Sequence, residues 1–187
     1  MPKYLGALTL VLMLGIVLTR IFLLRRQGIQ AMKFGRTDQT DFIIPPFALF
    51  YFYVVFAGAF NWPTFGREFF RSAAVAWVGV VLCLAGLLLL LWSIISFRQS
   101  FRVGIDADQP DRLITDGVFA FSRNPIYCAF ATILIGQFLI QPTWITVIYL
   151  LGAAALFHRQ VLREEVYLRR HYGQAFSDYC DRVRRYF

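Results

Sequence analysis

Several apolar runs, each about as long as a membrane is thick, dominate this sequence. The clearest covers residues 73–97 and contains the run LAGLLLLLW. A helix needs about 20 apolar residues to cross roughly 30 Å of hydrocarbon, and soluble domains rarely contain such runs. With 58% hydrophobic residues overall, the sequence predicts an integral membrane protein that forms a single domain over residues 1–187. Gly79 and Gly86 within this run are expected to let a neighbouring helix approach closely.

Five apolar segments are predicted to be transmembrane helices, which makes the predicted fold all-α. They cover residues 4–24, 41–60, 73–97, 125–140 and 144 to beyond 157. The fourth segment is only roughly 22 Å long at 1.5 Å per residue, and Gln141, Pro142 and Thr143 turn the chain after it. The last two segments are therefore expected to form a tight helical hairpin. The helical pattern of the fifth continues past its apolar part to Tyr172, where Gly173 is the expected C-cap.

The basic residues of the chain flank its apolar segments, and their placement predicts its orientation in the membrane. A basic stretch accompanies the end of the first segment: Arg20, Arg25, Arg26, Lys33 and Arg36. The link over residues 61–71 carries little charge. Because positive loops stay in the cytoplasm, the N-terminus is predicted outside and the C-terminus in the cytoplasm, at the inner membrane if the cell is bacterial. The net charge of +8 then reflects contact with membrane lipids, and nucleic acid binding is not predicted.

One polar segment runs directly into a predicted helix with a proline at the junction, between residues 113 and 127. Asn124 and Pro125 have the residue types of an N-cap and a first helical position. Free N–H groups at such a helix start suit a carboxylate. The preceding loop mixes arginine with aspartate and is long for a simple connection, which favours a functional role for this junction.

Two neighbouring carboxylates, Glu164 and Glu165, lie where the fifth helix is expected to leave the membrane. Such groups beside apolar residues are costly unless they are paired or bind a ligand. One interpretation is an ion-pair cluster that joins the C-terminal tail to the fourth segment. The candidate partners are Arg123, Arg159 and Arg163. The other interpretation is a polar pocket that hydrogen-bonds ribose hydroxyls or an amino group.

Several common site chemistries have no support in the sequence. The three cysteines are scattered, without CxxC or metal-ligand spacing: Cys83, Cys128 and Cys180. His158 and His171 lack an HExxH motif or a His/Cys cluster, so no metal site is predicted, and His158 is interpreted as a structural residue at the membrane interface. The sequence contains no GxSxG, phosphate loop or GxGxxG, which argues against hydrolases and Rossmann-type enzymes.

Two motifs resemble the signatures of a known family of membrane enzymes. The run LITDGVFAFSRNPIY, residues 113–127, is similar to the family pattern LV..G.Y...RHP.Y. A second stretch, from Glu164 to Arg184, is similar to the pattern EE..L...FG..Y..Y...V.R. The family is the isoprenylcysteine carboxyl methyltransferase and phospholipid methyltransferase group. Residues 101–106 are similar to a segment of its bacterial members, and the resemblance covers about residues 100–187.

The resemblance implies a methyltransferase that uses S-adenosylmethionine, with residues 98–187 as its catalytic half and a cofactor pocket that faces the cytoplasm. Residues 1–97 then provide three transmembrane helices. The implied cofactor-binding residues are Gly117, Arg123, Asn124, Pro125, Tyr127, Glu164, Glu165, Tyr172 and Tyr179. Arg123 and Glu165 are the two expected to act in catalysis. The sequence departs from the family at Asn124, where a histidine is frequent, and at Phe119, which replaces a tyrosine.

Asparagine can hydrogen-bond a cofactor but cannot act as a general base. The sulfonium methyl is already activated, so its transfer needs alignment and desolvation more than acid–base help. The acceptor is expected to be lipophilic or small, and the carboxylate of an isoprenylcysteine-like substrate is favoured. Two other functions stay open at this point. They are a non-catalytic membrane scaffold or partner subunit, and a membrane reductase that uses NADPH.

Overall fold

The computed structural model describes residues 1–26, 44–64, 66–97 and 113–187. Within these ranges the α-helices are α1 (Pro2–Arg26), α2 (Ile44–Phe60), α3 (Ala73–Ser96), α4 (Pro125–Ile140), α5 (Trp144–Tyr172) and α6 (Gln174–Arg182). A short 3-10 turn covers Gly117–Ala120. The same ranges contain no strand, although Glu68 and Thr143 form an isolated bridge. The all-α prediction is confirmed.

Three of these helices, α1, α3 and α5, are long and apolar enough to cross a membrane. They correspond to the first, third and fifth predicted segments, and α1 extends slightly beyond its predicted ends. α2 and α4 are shorter, with 17 and 16 residues, which is about 25 Å each at 1.5 Å per residue. The chain is therefore a membrane protein with three candidate spans, and the count of five spans stays a prediction.

Parts of two predicted loops lie outside the described residues. They include Lys33, Arg36 and Asp41, and residues 98–112 with the segment that resembles bacterial family members. The structure describes the second helix from Ile44 onward. Pro45 and Pro46 fall in its first turn, where their missing N–H groups cost least, as the sequence predicts.

The outer faces of the three long helices carry large apolar side chains. Examples that are more than half exposed are Leu18, Leu88, Ile95, Ile148 and Leu151. Soluble proteins rarely expose contiguous apolar surface of this kind. Contact with lipid chains removes its unfavourable hydration, so the exposed faces agree with a location in the membrane.

Glycines bring α3 and α4 close together. A Cβ atom added to Gly79 would lie 2.5 Å from the carbonyl oxygen of Gly136, and one added to Gly86 would lie 2.6 Å from Cγ1 of Ile133. A larger residue at either position would push the two helices apart. Small residues let transmembrane helices gain van der Waals contact along their backbones, and the close approach predicted at both glycines is confirmed.

Two buried glutamines of α4 join it to the first two helices. Gln137 Nε2 donates a hydrogen bond to the carbonyl oxygen of Gly6 at 2.7 Å, and Gln141 Nε2 donates to that of Val54 at 3.4 Å. An amide among apolar side chains is costly unless it is hydrogen-bonded. These bonds therefore set the rotation of α4 relative to α1 and α2, and with it the direction of the side chains at the start of α4.

α4 and α5 form the predicted hairpin. Thr143 and Thr146 cap the start of α5 reciprocally, with the N–H of each donating to the side-chain oxygen of the other at 3.1 and 3.3 Å. At the other end, α5 stops at Tyr172, and Gly173 adopts a φ of +54° at the C-cap, as predicted. α6, which follows this glycine, is not among the predicted helices.

Candidate functional site

The segment before α4 is held against the end of α3. Gly117 adopts a φ of +61°, a conformation that favours glycine, and a Cβ there would lie 2.6 Å from Ser96 Oγ. The same hydroxyl oxygen accepts a hydrogen bond from the N–H of Val118 at 3.4 Å. Gly117 therefore shapes the turn that leads the chain into α4.

Arg123, directly before α4, connects α5 with the C-terminal tail (residues 174–187). Its Nε and Nη2 atoms donate to Glu165 Oε1 at 3.2 and 3.1 Å. Its Nη1 atom donates to the carbonyl oxygens of Cys180 and Val183, both at 3.0 Å. All three guanidinium nitrogens are thus engaged by protein acceptors, in a planar arrangement that suits arginine. The predicted pairing of Arg123 is confirmed for Glu165.

Glu165 is buried, with 7% of its surface exposed, and it forms a second ion pair with Arg185. Arg185 Nη2 donates to Oε2 at 2.8 Å, and Arg185 Nε lies 3.1 Å from both carboxylate oxygens. Hydrogen bonding to Glu165 raises the pKa of Arg185 above its ordinary value, so Arg185 stays charged. Charged donors that surround a carboxylate in this way offset the cost of removing its charge from water. Arg185 is not among the residues predicted from the sequence, where its only signal is its place in the basic ending RVRRYF.

Glu164 has a different environment. Its Oε1 atom accepts hydrogen bonds from the Tyr127 hydroxyl at 2.7 Å and from Gln160 Nε2 at 3.1 Å. Its Oε2 atom accepts none from the part of the chain that the structure describes. Phe157 packs on the ring of Tyr127 with centroids 5.7 Å apart, so aromatic side chains border the site towards the apolar part of α5. Among the described residues, Glu164 is therefore the carboxyl of the pair with one oxygen that accepts no hydrogen bond.

Asn124 stands at the predicted N-cap position of α4, but its side chain does not cap the helix. Asn124 Nδ2 instead donates to the carbonyl oxygen of Arg185 at 3.2 Å. The N-cap interpretation is therefore wrong for this side chain, whose amide group is bound by the tail instead. The first-turn N–H groups of α4, which starts at Pro125, are left without that cap.

Tyr179 supports the backbone beside the site. Its hydroxyl donates to the carbonyl oxygen of Phe119 at 2.7 Å, and burial raises the pKa of Tyr179, so the donor stays protonated. Tyr172 lies roughly 10 Å beyond Glu165 along α5, with its ring edge-on to His171. The structure brings six of the predicted residues together at one end of the bundle: Arg123, Asn124, Pro125, Tyr127, Glu164 and Glu165.

A further contact joins α5 to the tail. His158 Nδ1 lies 2.9 Å from the hydroxyl oxygen of Tyr186. His158 is exposed. The sequence suggested a structural residue at the membrane interface, and the hydrogen bond to Tyr186 supplies a structural contact. Neither this pair nor the Glu164–Gln160 contact was predicted, because a lone histidine and a glutamine carry no recognisable spacing.

Comparison with known proteins agrees with the motifs. The sequence model of the phospholipid methyltransferase family matches residues 74–175. Two curated relatives, from Oryza sativa subsp. indica and Oryza sativa subsp. japonica, are each described as "Probable protein-S-isoprenylcysteine O-methyltransferase". Each is 27% identical to this chain over 112 residues, which cover 58% of this chain and 59% of the relative. No solved structure matches the chain.

The aligned part thus spans about three-fifths of the length of these relatives. The family match begins within α3 and extends beyond α5, so it includes the helix packing of the membrane part as well as the two glutamates. It also covers more than half of the 187 residues. The chain therefore belongs to the phospholipid methyltransferase family, a family of membrane methyltransferases.

Proposed function

We propose that the protein is an S-adenosylmethionine-dependent methyltransferase that methylates a lipophilic or small acceptor at the membrane. The observation that carries the proposal is the contrast between two adjacent carboxyls. Glu165 is held by two guanidinium groups, whereas one oxygen of Glu164 accepts no hydrogen bond from the residues that the structure describes. Family membership supports methyl transfer as the reaction. The description of the relatives supports the carboxylate of an isoprenylcysteine-like acceptor as the favoured substrate.

The residues at this end of the bundle fit S-adenosylmethionine. Its amino group and ribose hydroxyls are donors that match Glu164. Its carboxylate matches the N–H groups at the start of α4, which the Asn124 side chain leaves uncapped. When bound, the cofactor supplies an activated methyl group to the acceptor. The proposed cofactor site consists of Gly117, Arg123, Asn124, Pro125, Tyr127, Glu164, Glu165, Tyr172 and Tyr179.

The charged residues of this site act in positioning rather than in proton transfer. Arg123 and Glu165, the two residues expected to act in catalysis, hold the start of α4 against α5 through their ion pair. Tyr127 orients the carboxyl of Glu164 by donating to its Oε1 atom. The rings of Tyr127 and Phe157 keep water from the acceptor side. Transfer to a carboxylate needs alignment in a dry site and no general base, which suits a chain that lacks the frequent family histidine.

The proposal includes the arrangement in the membrane. All five predicted segments span it, residues 1–187 form one domain with residues 98–187 as the catalytic half, and the site faces the cytoplasm. Arg25 and Arg26 at the end of α1 and the basic last turn of α5 support this orientation. A protease site added after Phe187 is expected to be cleaved in inside-out vesicles only. Cleavage in right-side-out vesicles would contradict the orientation.

Ligand-induced thermal stabilisation of the purified protein tests the function. S-adenosylmethionine and its demethylated product are expected to raise the melting temperature, because a ligand at 100 times its Kd stabilises the folded state by about 2.7 kcal/mol. NADPH is expected to leave it unchanged. If neither S-adenosylmethionine nor its product stabilises the protein, the proposal fails, and stabilisation by NADPH would favour the reductase.

A matched pair of variants localises the binding. Glu164→Gln is expected to weaken cofactor affinity about tenfold, because the amide nitrogen cannot accept the hydrogen bond that the second carboxyl oxygen accepts. Asp178→Asn removes an exposed carboxylate on α6, whose hydrogen-bond donor is Gln174, and is expected to bind like the parent protein. Equal affinity in both variants would remove Glu164 from the site.

The methylated product identifies the acceptor class. Membranes that contain the protein are incubated with S-adenosylmethionine labelled in its methyl group, and the labelled product is isolated. We expect a lipophilic methyl ester, which base hydrolyses with release of labelled methanol. A base-stable product would replace the carboxylate acceptor with an amine or a thiol.

A further inference from the structure

We propose that Arg185 is a positioning residue that holds residues 183–187, the terminal segment, against residues 122–124 directly before α4 and thereby couples the order of this segment to cofactor binding. The inference rests on the proposed cofactor site. It adds Arg185, which lies outside both motifs and outside the family match, since the second motif ends at Arg184 and the match ends at residue 175.

Arg185 contacts two residues of the proposed site at once. Its side chain binds Glu165 on α5, with Nη2 and Oε2 2.8 Å apart. Its carbonyl oxygen accepts hydrogen bonds from Asn124 Nδ2 at 3.2 Å and from Ser122 Oγ at 3.4 Å. One tail residue therefore sets the direction of side chains on both sides of the α4–α5 contact.

The neighbours of Arg185 make contacts of the same kind. The N–H of Arg123 donates to the carbonyl oxygen of Arg184 at 3.0 Å, and Arg123 Nη1 donates to that of Val183. Tyr186 contacts His158. The terminal segment lies beyond the end of α6 and forms no helix or strand, so these contacts, rather than regular secondary structure, decide where it lies.

Both cations on Glu165 depend on this arrangement. Arg185 belongs to the terminal segment, and Arg123 is held by two tail carbonyls. Loss of the segment would leave the Glu165 carboxylate with one loosened partner and would free Asn124 to rotate. Glu164, the proposed ligand contact, directly precedes Glu165 on the same helix. Cofactor binding and seating of the segment therefore favour each other, and this coupling is reciprocal.

The test compares Arg185→Gln and Arg185→Lys with the parent protein and with Arg182→Gln. Arg182 is exposed and its Nε donates to the Asp178 carbonyl oxygen, so the control removes the same charge from the tail without touching the site. Hydrogen exchange is measured over residues 118–124 and 183–187 in the full-length, ligand-free proteins. Calorimetry measures the affinity for the demethylated product of S-adenosylmethionine. Melting temperatures establish that each variant is folded.

Arg185→Gln is expected to exchange faster in both segments and to bind about tenfold more weakly, the effect that loss of one charge-assisted hydrogen bond produces. Arg185→Lys should fall between it and the parent, because lysine keeps the charge but does not bridge two oxygens in one plane. Unchanged exchange in Arg185→Gln, or an equal loss of affinity in Arg182→Gln, would overturn the inference. If the parent protein binds no ligand, the proposed function fails, and the exchange data alone decide whether Arg185 seats the segment.

Discussion

Two consecutive residues, Glu164 and Glu165, serve different purposes because a helix turns about 100° from one residue to the next. Glu165 points towards Arg123 and Arg185. Glu164 points towards Tyr127 instead. A pair of adjacent carboxyls on one rigid helix can therefore provide a fixed anchor and an open acceptor a few ångströms apart.

This difference predicts that the two glutamates respond differently to substitution. Glu165→Ala leaves two guanidinium groups facing each other. The loss of folding free energy should lie at the lower end of the roughly 3–5 kcal/mol found when a buried pair is broken, because the Arg185 side chain is 37% exposed and partly screened. Glu164→Gln keeps the size of the side chain and an acceptor for Tyr127. Melting curves in detergent measure both effects, and equal melting temperatures would contradict the ion-pair explanation.

At the scale of elements, α5 connects the membrane with the site. Its 29 residues form one continuous helix, about 44 Å long, from the Thr143 cap to Gly173. The first part is apolar and the last part carries the glutamates. Since the helix is unbroken, the depth of its apolar part in the membrane also sets the height of Glu164 relative to the lipid surface. Under the proposed function, this geometry lets an acceptor with an apolar tail and a polar end reach the site while its tail stays among lipids.

The contact between α3 and α4 allows a direct test of close packing. Gly79→Ala places a Cβ 2.5 Å from the carbonyl oxygen of Gly136, and overpacking of this kind typically costs about 1–3 kcal/mol. Gly15→Ala is the matched control, because a Cβ there meets nothing within 4 Å and alanine favours a helix by up to about 1 kcal/mol. We expect a lower melting temperature for Gly79→Ala only. Equal melting temperatures for the two variants would contradict the close approach of the helices.

At the scale of the whole molecule, the end opposite the site is closed by residues that are far apart in sequence. Glu68 pairs with Lys3 and with Arg71, each at 2.6 Å. The N–H of the next residue, Phe69, donates to the carbonyl oxygen of Pro142 at 2.8 Å. The start of α1, the link between α2 and α3 and the turn of the hairpin therefore meet there. The bundle is held at this end independently of the tail.

Glu68 makes part of the stability depend on pH. Burial alone would raise the pKa of Glu68, but the hydrogen bonds from Lys3 and Arg71 outweigh it and hold that pKa below its ordinary value. A carboxyl with a lowered pKa in the folded state stabilises the protein above its unfolded pKa of about 4.3 and loses this contribution as pH falls through the folded pKa. Melting temperatures between about pH 3 and 6 should therefore fall more steeply for the parent protein than for Glu68→Gln. Parallel curves would show that this cluster does not contribute.

Much of the fold could be predicted from the sequence, because apolar length and helical periodicity are local properties. The three long helices, the turn at Gln141–Thr143, the end of α5 at Gly173 and the approach of a helix at Gly79 all follow from residue types close together in the chain. The same local information failed at Asn124. An asparagine before Pro125 looks like an N-cap, and only the presence of a tail carbonyl changes the partner of its amide.

The sequence by itself determined that the chain is a helical membrane protein with two family-like motifs placed on either side of a hairpin. Only the tertiary structure decided how those motifs meet, and that Arg185 joins them. Arg185 lies 20 positions from Glu165 and 61 positions from Asn124. Apolar patterns report which faces avoid water, whereas hydrogen bonds over such separations depend on the path of the backbone, and no residue spacing encodes that path.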